Sequence, residues 1–284
     1  MTLKPLTNLR IRTLQSRSDF EACCALQRQT WGAAFTERVP ASVLMVTVKT
    51  GGILLGAFSG SKMIGFVLSF AGWDGDKKIL WSDMLAVHEQ FRNRSIGLRL
   101  KLHQRRLALK QGVQEIRWTF DPLESRNAYF NLAKLGVQVR SYFPNLYGRT
   151  QSPAHRNLDT DRMLAVWSLA AGGLGKNRGK QPVLPVVDHR WVNRCGLTRQ
   201  ELLRSSPPNL RLRVRQVWFE IPANFDHLCR TNHRLARSWL KLTRQVCTRY
   251  LHRGYVIDNF LKIPIEGRQA SIYVFSRKAK GDFS

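Results

Sequence analysis

The chain has 284 residues, 43% of them hydrophobic and 23% charged, which suits a globular protein of two domains or of one domain with a large extension. Its apolar runs are too short to span a membrane, and its first residues lack the apolar core of a signal peptide. Five scattered cysteines form neither a disulfide framework nor a zinc motif. We expect a cytoplasmic protein with reduced cysteines, no membrane span and no metal.

The charge is the unusual part of the composition. The formal net charge is +27 and the pI is about 11.0, so the surface should attract phosphates, nucleic acid or anionic membranes. The excess is spread over the chain, with +12 for residues 1–154 and +15 for residues 155–284. Because both halves also have apolar periodicity, this distribution predicts a folded protein with a basic surface.

In the first half, apolar runs predict strands and a period of 3.6 residues predicts helices. Ser16 to Asp19 has the residue types of a helix start, and Gly112 and Gly136 are natural helix stops. In chain order the predicted elements are a strand at 9–15, a helix after residue 16, the strands GILLGAFSG, MIGFVLSFAG and ILWSDMLAV, a helix from Ile96 to Gly112, the strand EIRWTF, a helix from Glu124 to Leu135 and the strand VQVRSYF. This order indicates an α/β or α+β fold.

In the second half, RLRVRQVWFEI and SIYVFSR are predicted strands, and one long helix lies between them. Two stripes follow that helix at spacings of three and four. The apolar stripe is Leu235, Trp239, Leu242, Val246 and Tyr250, and the basic stripe is Arg230, Arg234, Arg237, Lys241 and Arg244. The segments 150–161 and 170–182 have little apolar content and are the predicted linkers. We therefore predict a second, smaller α+β domain.

The segment LAVHEQFRNRSIGLRL is the most informative part of the sequence. A strand ends at Val87, a basic loop containing a glycine follows, and a helix begins after that loop. Such an arrangement points free backbone N–H groups and the positive end of a helix dipole at an anion. A pyrophosphate group fits this description.

Six residues of this loop, Arg92, Asn93, Arg94, Ser95, Ile96 and Gly97, resemble the acyl-CoA signature of the GNAT superfamily. That signature is Gln or Arg, two residues, Gly, one residue, then Gly or Ala. Ser95 stands where the first glycine is usual. A serine loses conformational freedom at positive φ, but its hydroxyl can donate to a phosphate oxygen.

The order of elements over roughly the first 150 residues also resembles the GNAT superfamily. The segments GILLGAFSGSKMIGF, WTFDPLESRNAYFNLAKLG and NLYG are similar to a branch that has a C-terminal extension. Some members of that branch are implicated in N-succinylation of amino acids. The resemblance implies a mixed, mostly antiparallel sheet flanked by helices.

For domains, the resemblance implies an acyl-CoA-binding domain at residues 1–152. Residues 153–284 would form a basic α+β domain or a degenerate second GNAT-like half. The implied activity is transfer of an acetyl or other short acyl group, such as succinyl, from acyl-CoA to a primary amine. The acceptor would be a small molecule or a protein.

The resemblance also implies roles for the strand before the loop. The backbone of Leu85, Ala86 and Val87 would hydrogen-bond the pantetheine arm as an added strand does. One N–H of that strand would polarise the thioester carbonyl. Asp83 is the first candidate for the general base, directly or through water, or else makes only a structural hydrogen bond. His88 and Glu89 are alternatives at the loop edge.

The general acid is less clearly indicated. The position that holds a tyrosine near the CoA sulfur in many GNAT enzymes corresponds to Leu132 here. Tyr129 and Tyr147 could each supply a hydroxyl, or the thiolate could leave without a positioned acid. Asn127 and Asn131 lie one helical turn apart and either contact CoA or form part of the helix surface.

A second hypothesis is a non-catalytic protein that binds RNA or ribosomes through a GNAT-like fold. The net charge, the basic stripe and the aromatic content favour it. The sequence has no RNP, KH or zinc-finger pattern. Loss of acyl-CoA binding in Gly97→Asp or Arg92→Glu would favour the enzyme, whereas salt-sensitive RNA binding that survives both changes would favour the binder.

Overall fold

The computed structural model of the chain describes residues 8–32, 35–148, 158–169 and 189–277. Its contacts divide the chain into two compact units. The first unit comprises residues 1–118 and 168–171, and the second comprises residues 119–167 and 172–284. The domain boundary predicted after residue 152 and most of both predicted linkers lie outside the described residues, so the predicted domains stay a prediction.

The first unit is a sheet with helices packed on it. Its strands have the order β1-β2-β3-β4-β5, and all neighbours are antiparallel except β4 and β5. In chain order the elements are β1 (Leu9–Thr13), α1 (Arg17–Trp31), α2 (Ala41–Lys49), β2 (Ile53–Ser59), β3 (Lys62–Asp74), β4 (Lys77–Val87), α3 (Ile96–Lys110) and β5 (Glu115–Phe120), of which the last two residues belong to the second unit. The predicted strands and helices of this part are confirmed, and α2 is an addition.

The predicted start of α1 is confirmed in detail. The Ser16 side chain accepts from the backbone N–H of Asp19, and the Asp19 carboxylate accepts from the backbone N–H of Ser16. Arg12 of β1 donates to both carboxylate oxygens of Asp19 and holds the pKa of that carboxyl well below its usual range. Strand β1 is thus tied to the beginning of α1.

Helices lie on both faces of this sheet. Phe66 and Met84 belong to a buried cluster with Phe20 of α1 and Leu44 of α2. Gly65, the neighbour of Phe66, points the other way. A Cβ at Gly65 would lie 3.0 Å from the carbonyl oxygen of Ala86 and 3.3 Å from Leu100 of α3, so the glycine permits the close approach of α3.

The second unit also has a mostly antiparallel sheet, with the strand order β7-β6-β11-β12-β10. Its elements are α4 (Ser125–Ala128), which continues as a π-helix (Tyr129–Leu135), β6 (Gln138–Phe143), β7 (Arg162–Ser168), β8 (Cys195–Leu197), β9 (Leu203–Ser205), β10 (Gln216–Ile221), α5 (Phe225–Thr231), α6 (His233–His252), β11 (Tyr255–Ile265) and β12 (Arg268–Arg277). Strands β8 and β9 pair only with each other among the described residues. No helix of the described residues is long and apolar enough to cross a membrane.

Two details of the second half differ from the prediction. The predicted strand RLRVRQVWFEI is a strand only from Gln216, because residues 211–215 have no ladder partner among the described residues. The long helix begins after Asn232, whose side chain caps α6 by accepting from the Leu235 N–H. The basic stripe is therefore divided, with Arg230 on α5.

Arg244 also departs from the predicted stripe. Instead of extending into solvent, its guanidinium donates to Asp159 at 2.8 Å and to both oxygens of Asp161 at 2.9 and 2.6 Å. The Asp161 carboxylate is fully buried and also accepts from the Tyr142 hydroxyl and the Asn145 backbone N–H. This network ties α6 to the start of β7.

Candidate functional site

Strand β4 carries a bulge at the residue proposed as the general base. Leu68 of β3 pairs with Met84, and Ser69 pairs with Ser82, so Asp83 is the extra residue on β4. Bulges redirect side chains and are common beside active sites. Here Ser82 faces α3, whereas Met84 lies in the cluster shared with α1. Because of the bulge at Asp83, Ser82 and Met84 point to opposite faces of the sheet, although they are two residues apart.

Beyond the bulge, β4 parts from β5. The parallel pairing covers residues 79–81 of β4 and residues 115–117 of β5, while β4 continues to Val87. Within the described residues this edge of β4 has no further strand partner, so residues 82–87 present backbone N–H and C=O groups that an extended ligand could pair with. The Arg92 Nε atom donates to one of them, the Val87 carbonyl, at 3.2 Å.

The loop after β4 has two residues in the left-handed region. His88 continues the β3 pairing by donating its N–H to the Ile64 carbonyl, and a one-turn 3₁₀ helix follows at Glu89–Phe91. Asn93 then has φ 63° and Ser95 has φ 58°. Successive N–H groups in such a loop curl around a common point and form an anion-binding concavity.

The N-terminus of α3 completes that concavity. Ser95 is the N-cap residue, but its side chain makes no capping hydrogen bond in the described structure. The first intrahelical bond runs from the Arg99 N–H to the Ser95 carbonyl, so the N–H groups of residues 96–98 precede the helix ladder. The first turn has no acidic residue. A helix end of this kind binds phosphate.

Cationic side chains surround the same helix end. Arg92 and Arg99 are exposed, and the Arg94 guanidinium carbon lies 5.8 Å from the centroid of the Phe91 ring. Glu89 is exposed, and His88 accepts from the Gln90 N–H and caps the 3₁₀ helix. Of the two predicted alternatives to Asp83, His88 thus caps the 3₁₀ helix and Glu89 is solvated.

The environment of Asp83 raises the pKa of its carboxyl group. Its side chain keeps access to solvent, yet the surrounding protein partly desolvates the carboxylate and raises its pKa, and the negative charge of Glu37 raises that pKa further. A carboxylate with a raised pKa accepts a proton more readily than an ordinary aspartate does. The environment of Asp83 favours a basic role.

A buried polar cluster lies behind the bulge, and the sequence did not predict it. The Lys101 Nζ atom and the Gln104 Nε2 atom each donate to the Ser82 hydroxyl at 3.0 Å. The Lys101 Nζ atom also lies 3.7 Å from the centroid of the Trp118 ring. Complete burial lowers the pKa of Lys101 well below its ordinary value.

Lys101 lies on the buried face of α3 despite its charge. The buried residues of α3 are Ile96, Leu100, Lys101, Gln104 and Ala108. Their spacing of four, one, three and four is itself a helical stripe. The signal that could have revealed Lys101 was its position in that stripe, which its charge concealed.

The remaining predicted residues lie in the second unit. Asn131 is buried and donates to the Asn127 side chain at 3.2 Å, so the two side chains lie on the same side of the helix. Two amines lie near the Tyr129 ring, Lys134 at 5.3 Å and Lys262 at 5.6 Å from its centroid. These residues belong to, or flank, a π-helix, a rare element that is frequent at functional sites.

Tyr147 is the other tyrosine candidate. It is 50% exposed, and its hydroxyl lies 2.8 Å from the Thr119 hydroxyl. The Arg162 guanidinium carbon lies 5.3 Å from the centroid of its ring. Leu132, which stands at the usual tyrosine position, is buried and offers no polar group.

A mixed sheet with a bulged fourth strand, a parted edge and a basic loop before a helix is the arrangement expected of an acyl-CoA-dependent N-acyltransferase. Residues 20–136, less than half of the chain, match the model of the acetyltransferase (GNAT) family. No curated protein matches the chain.

Three solved structures that resemble part of this chain are acetyltransferases. The ribosomal-protein-S18-alanine N-acetyltransferase of Escherichia coli is 15% identical, with a TM-score of 0.47 over 58% of this chain and 97% of its own. Naa50 of Arabidopsis thaliana, in complex with a bisubstrate analogue, is 15% identical, with a TM-score of 0.46 over 56% of this chain and 98% of its own. The PaiA N-acetyltransferase of Thermoplasma acidophilum, in complex with coenzyme A, is 17% identical, with a TM-score of 0.40 over 56% of this chain and 98% of its own. Similarities at this level say nothing about the substrate of this chain.

Proposed function

We propose that the protein transfers an acetyl or another short acyl group, such as succinyl, from acyl-CoA to a primary amine of a small molecule or a protein in the cytoplasm. The observation that supports this most is the continuity of one backbone path. The free edge of β4 leads through the left-handed loop directly to the N-terminus of α3. A CoA molecule has an extended pantetheine arm that ends in a pyrophosphate, which suits this path.

In the proposed complex the pyrophosphate lies against residues 92–97. Phosphate oxygens accept hydrogen bonds from the N–H groups of Ile96 and Gly97 and from the Ser95 hydroxyl. Arg92 and Arg94 add positive charge. The pantetheine arm lies along Leu85, Ala86 and Val87 as an added strand. Asn93, in the left-handed region, shapes the loop that brings these groups together.

The reaction then needs few protein groups. The amine nitrogen attacks the thioester carbonyl carbon, and a β4 N–H stabilises the negative charge that develops on the oxygen. The tetrahedral intermediate collapses with cleavage of the C–S bond, and CoA leaves as a thiolate. The proton that the amine loses passes to Asp83, directly or through water.

Tyr129 and Tyr147 are the proposed donors of a proton to the departing thiolate, and Asn127 and Asn131 are proposed CoA contacts. The hydroxyl of Tyr147 already has a partner in Thr119 that could relay a proton. If Tyr129→Phe and Tyr147→Phe both retain the wild-type turnover rate, the thiolate leaves unaided.

Release of free CoA from acetyl-CoA and succinyl-CoA, measured with a panel of amino acids and peptides, tests this function. Asp83→Asn should lower kcat by about 100-fold while leaving acyl-CoA binding intact, since it removes a base but no CoA contact. Asp76→Asn, in the exposed turn between β3 and β4, is the matched control. Turnover that Asp83→Asn does not change would contradict the assigned base.

The second candidate, a non-catalytic protein that binds RNA or ribosomes, is favoured by the net charge of +27. It predicts no turnover with any amine and no loss of RNA binding in Gly97→Asp. A protein with both acyl-CoA turnover and RNA binding would combine the two functions on different surfaces.

A further inference from the structure

The part of the second unit between residues 189 and 277 has an excess of arginine. It contains fifteen arginines and two lysines against five acidic residues. Two of those acids are engaged locally, Glu220 with Arg268 and Asp226 with Arg230. This part of the second unit therefore carries a large excess of positive charge.

Three of these arginines are close together in the sequence. Arg211, Arg213 and Arg215 are exposed, and the apolar residues between them are only partly exposed. Residues 211–213 have no regular secondary structure, and the chain bends at residues 214 and 215. The segment thus presents three exposed guanidinium groups within five residues.

This segment is held in place by side chains from elsewhere in the unit. The Tyr250 hydroxyl donates to the Asn209 carbonyl at 2.6 Å, and Arg253 donates to the Leu210 carbonyl at 3.0 Å. At the other end, the Tyr255 hydroxyl donates to the Val214 carbonyl. Because the backbone is already fixed, binding a ligand along the segment costs little ordering entropy.

A depression of about 500 Å³ lies beside Arg215, at the end of this segment. Its lining residues are Arg190, Val214, Arg215, Gln216, Asp258, Ser276 and Arg277. The Arg277 N–H donates to the Arg215 carbonyl at 2.8 Å, so the two arginines are neighbours. The Arg190 guanidinium carbon lies 4.0 Å from the centroid of the Trp218 ring, which orients its plane.

We infer that the arginine track, defined as Arg211, Arg213, Arg215 and Arg277, binds the phosphate backbone of single-stranded RNA. A cluster of exposed like charges complements a polymer that carries one negative charge per nucleotide. Arginine suits this ligand because its planar guanidinium binds phosphate through two parallel hydrogen bonds.

The track is less suited to a membrane surface. A segment that binds an anionic bilayer needs apolar side chains that face the lipid. In this segment Leu212 and Val214 alternate with the arginines and are partly buried against the protein. Binding to RNA is independent of acyl transfer, because no residue of the track belongs to the proposed acyl-CoA site.

Fluorescence anisotropy with a labelled oligouridylate of about 20 nucleotides tests the track. The variant R211Q/R213Q/R215Q should bind about tenfold more weakly than the wild type. Its plot of log affinity against log salt concentration should be shallower by about 2, as expected when three phosphate contacts are lost. The control K49Q/R106Q/K110Q removes the same charge from exposed positions of the first unit and should change affinity less than about twofold.

Equal losses in the two variants would show attraction by net charge alone and would overturn the track. Wild-type protein that does not bind the RNA would also overturn it. So would a track variant that keeps its RNA affinity but loses binding to phosphatidylserine vesicles. Acetyl-CoA binding, measured in every variant, reports folding and the proposed function separately.

Discussion

At the scale of single residues, Asp83 and Glu37 form an electrostatic pair whose effect can be measured. The general base acts when deprotonated, so a raised pKa moves the loss of activity to a higher pH. Glu37→Gln removes the like charge that helps to raise the pKa of Asp83. We expect the acid limb of kcat/KM to shift to lower pH.

The control for this prediction is Asp76→Asn, which removes one negative charge from an exposed turn. It should leave the pH profile unchanged. An acid limb that stays in place in Glu37→Gln, or that moves equally in both variants, would count against Asp83 as the titrating base.

Ser95 holds a left-handed conformation that suits glycine better. Ser95→Gly should raise the free energy of unfolding by about 0.5 kcal/mol. It removes the steric strain of the Cβ atom at φ 58°, and this gain exceeds the backbone entropy that a glycine loses on folding. Urea unfolding measures this change. Ser95→Ala keeps the Cβ and should not stabilise the protein, and stabilisation of similar size in both variants would contradict a backbone origin.

Lys101 is buried and its pKa is well below the ordinary value. At a pH between its lowered pKa and about 10.4, the unfolded chain binds a proton at Lys101 that the folded protein does not. Relative to Lys101→Met, the wild type should therefore become more stable with rising pH, by about 1.4 kcal/mol per pH unit within that window. Below the window this difference should not depend on pH.

Urea unfolding at several pH values tests the Lys101 prediction, with Lys110→Met as the control because Lys110 is exposed on the same helix. Parallel stability curves for the wild type and Lys101→Met would show that the amine is charged in the folded state.

At the scale of elements, the sequence predicted the meander of β2, β3 and β4 and the helices α1 and α3 because each has a clear period and defined ends. Helix α2 was missed, since its sequence ASVLMVTVK is rich in β-branched residues, which favour strands. Its helical form depends on burial of Leu44 and Thr47, which is a tertiary effect.

Strands β7 and β11 were also missed. The β7 sequence RMLAVWS is only seven residues long and directly follows the predicted linker at residues 150–161. In β11 a proline at position 264 argues against a strand. The loop at residues 92–97 could be predicted because its chemistry is local, whereas the Lys101 cluster depends on which face of α3 meets β4.

The attachment of α6 provides a prediction for an element. Arg244→Met leaves the buried Asp161 carboxylate without its main counter-charge, which should lower the free energy of unfolding by about 3 kcal/mol. Arg237→Met, at an exposed position of the same helix, should change it by less than about 0.5 kcal/mol. Urea unfolding of both variants gives the comparison, and equal, small losses would show that the Arg244 network does not fix α6.

At the scale of the whole molecule, the +27 net charge is divided between two proposed tasks. In the first unit, arginines gather at the N-terminus of α3, where an acyl-CoA pyrophosphate would lie. In the second unit they form the arginine track. The composition predicted anionic partners, but only the structure separates the arginines at the helix end from those of the arginine track.

The most direct test of the central claim is calorimetric titration of acetyl-CoA into the wild type, Gly97→Asp and Gly97→Ala. An aspartate in the first turn of α3 interacts favourably with the helix dipole, so the fold should persist. Its negative charge would repel the pyrophosphate. The account predicts micromolar binding to the wild type and to Gly97→Ala, and a loss of about 100-fold in Gly97→Asp. A folded wild type that does not bind acetyl-CoA, or equal binding to all three proteins, would contradict the assigned site.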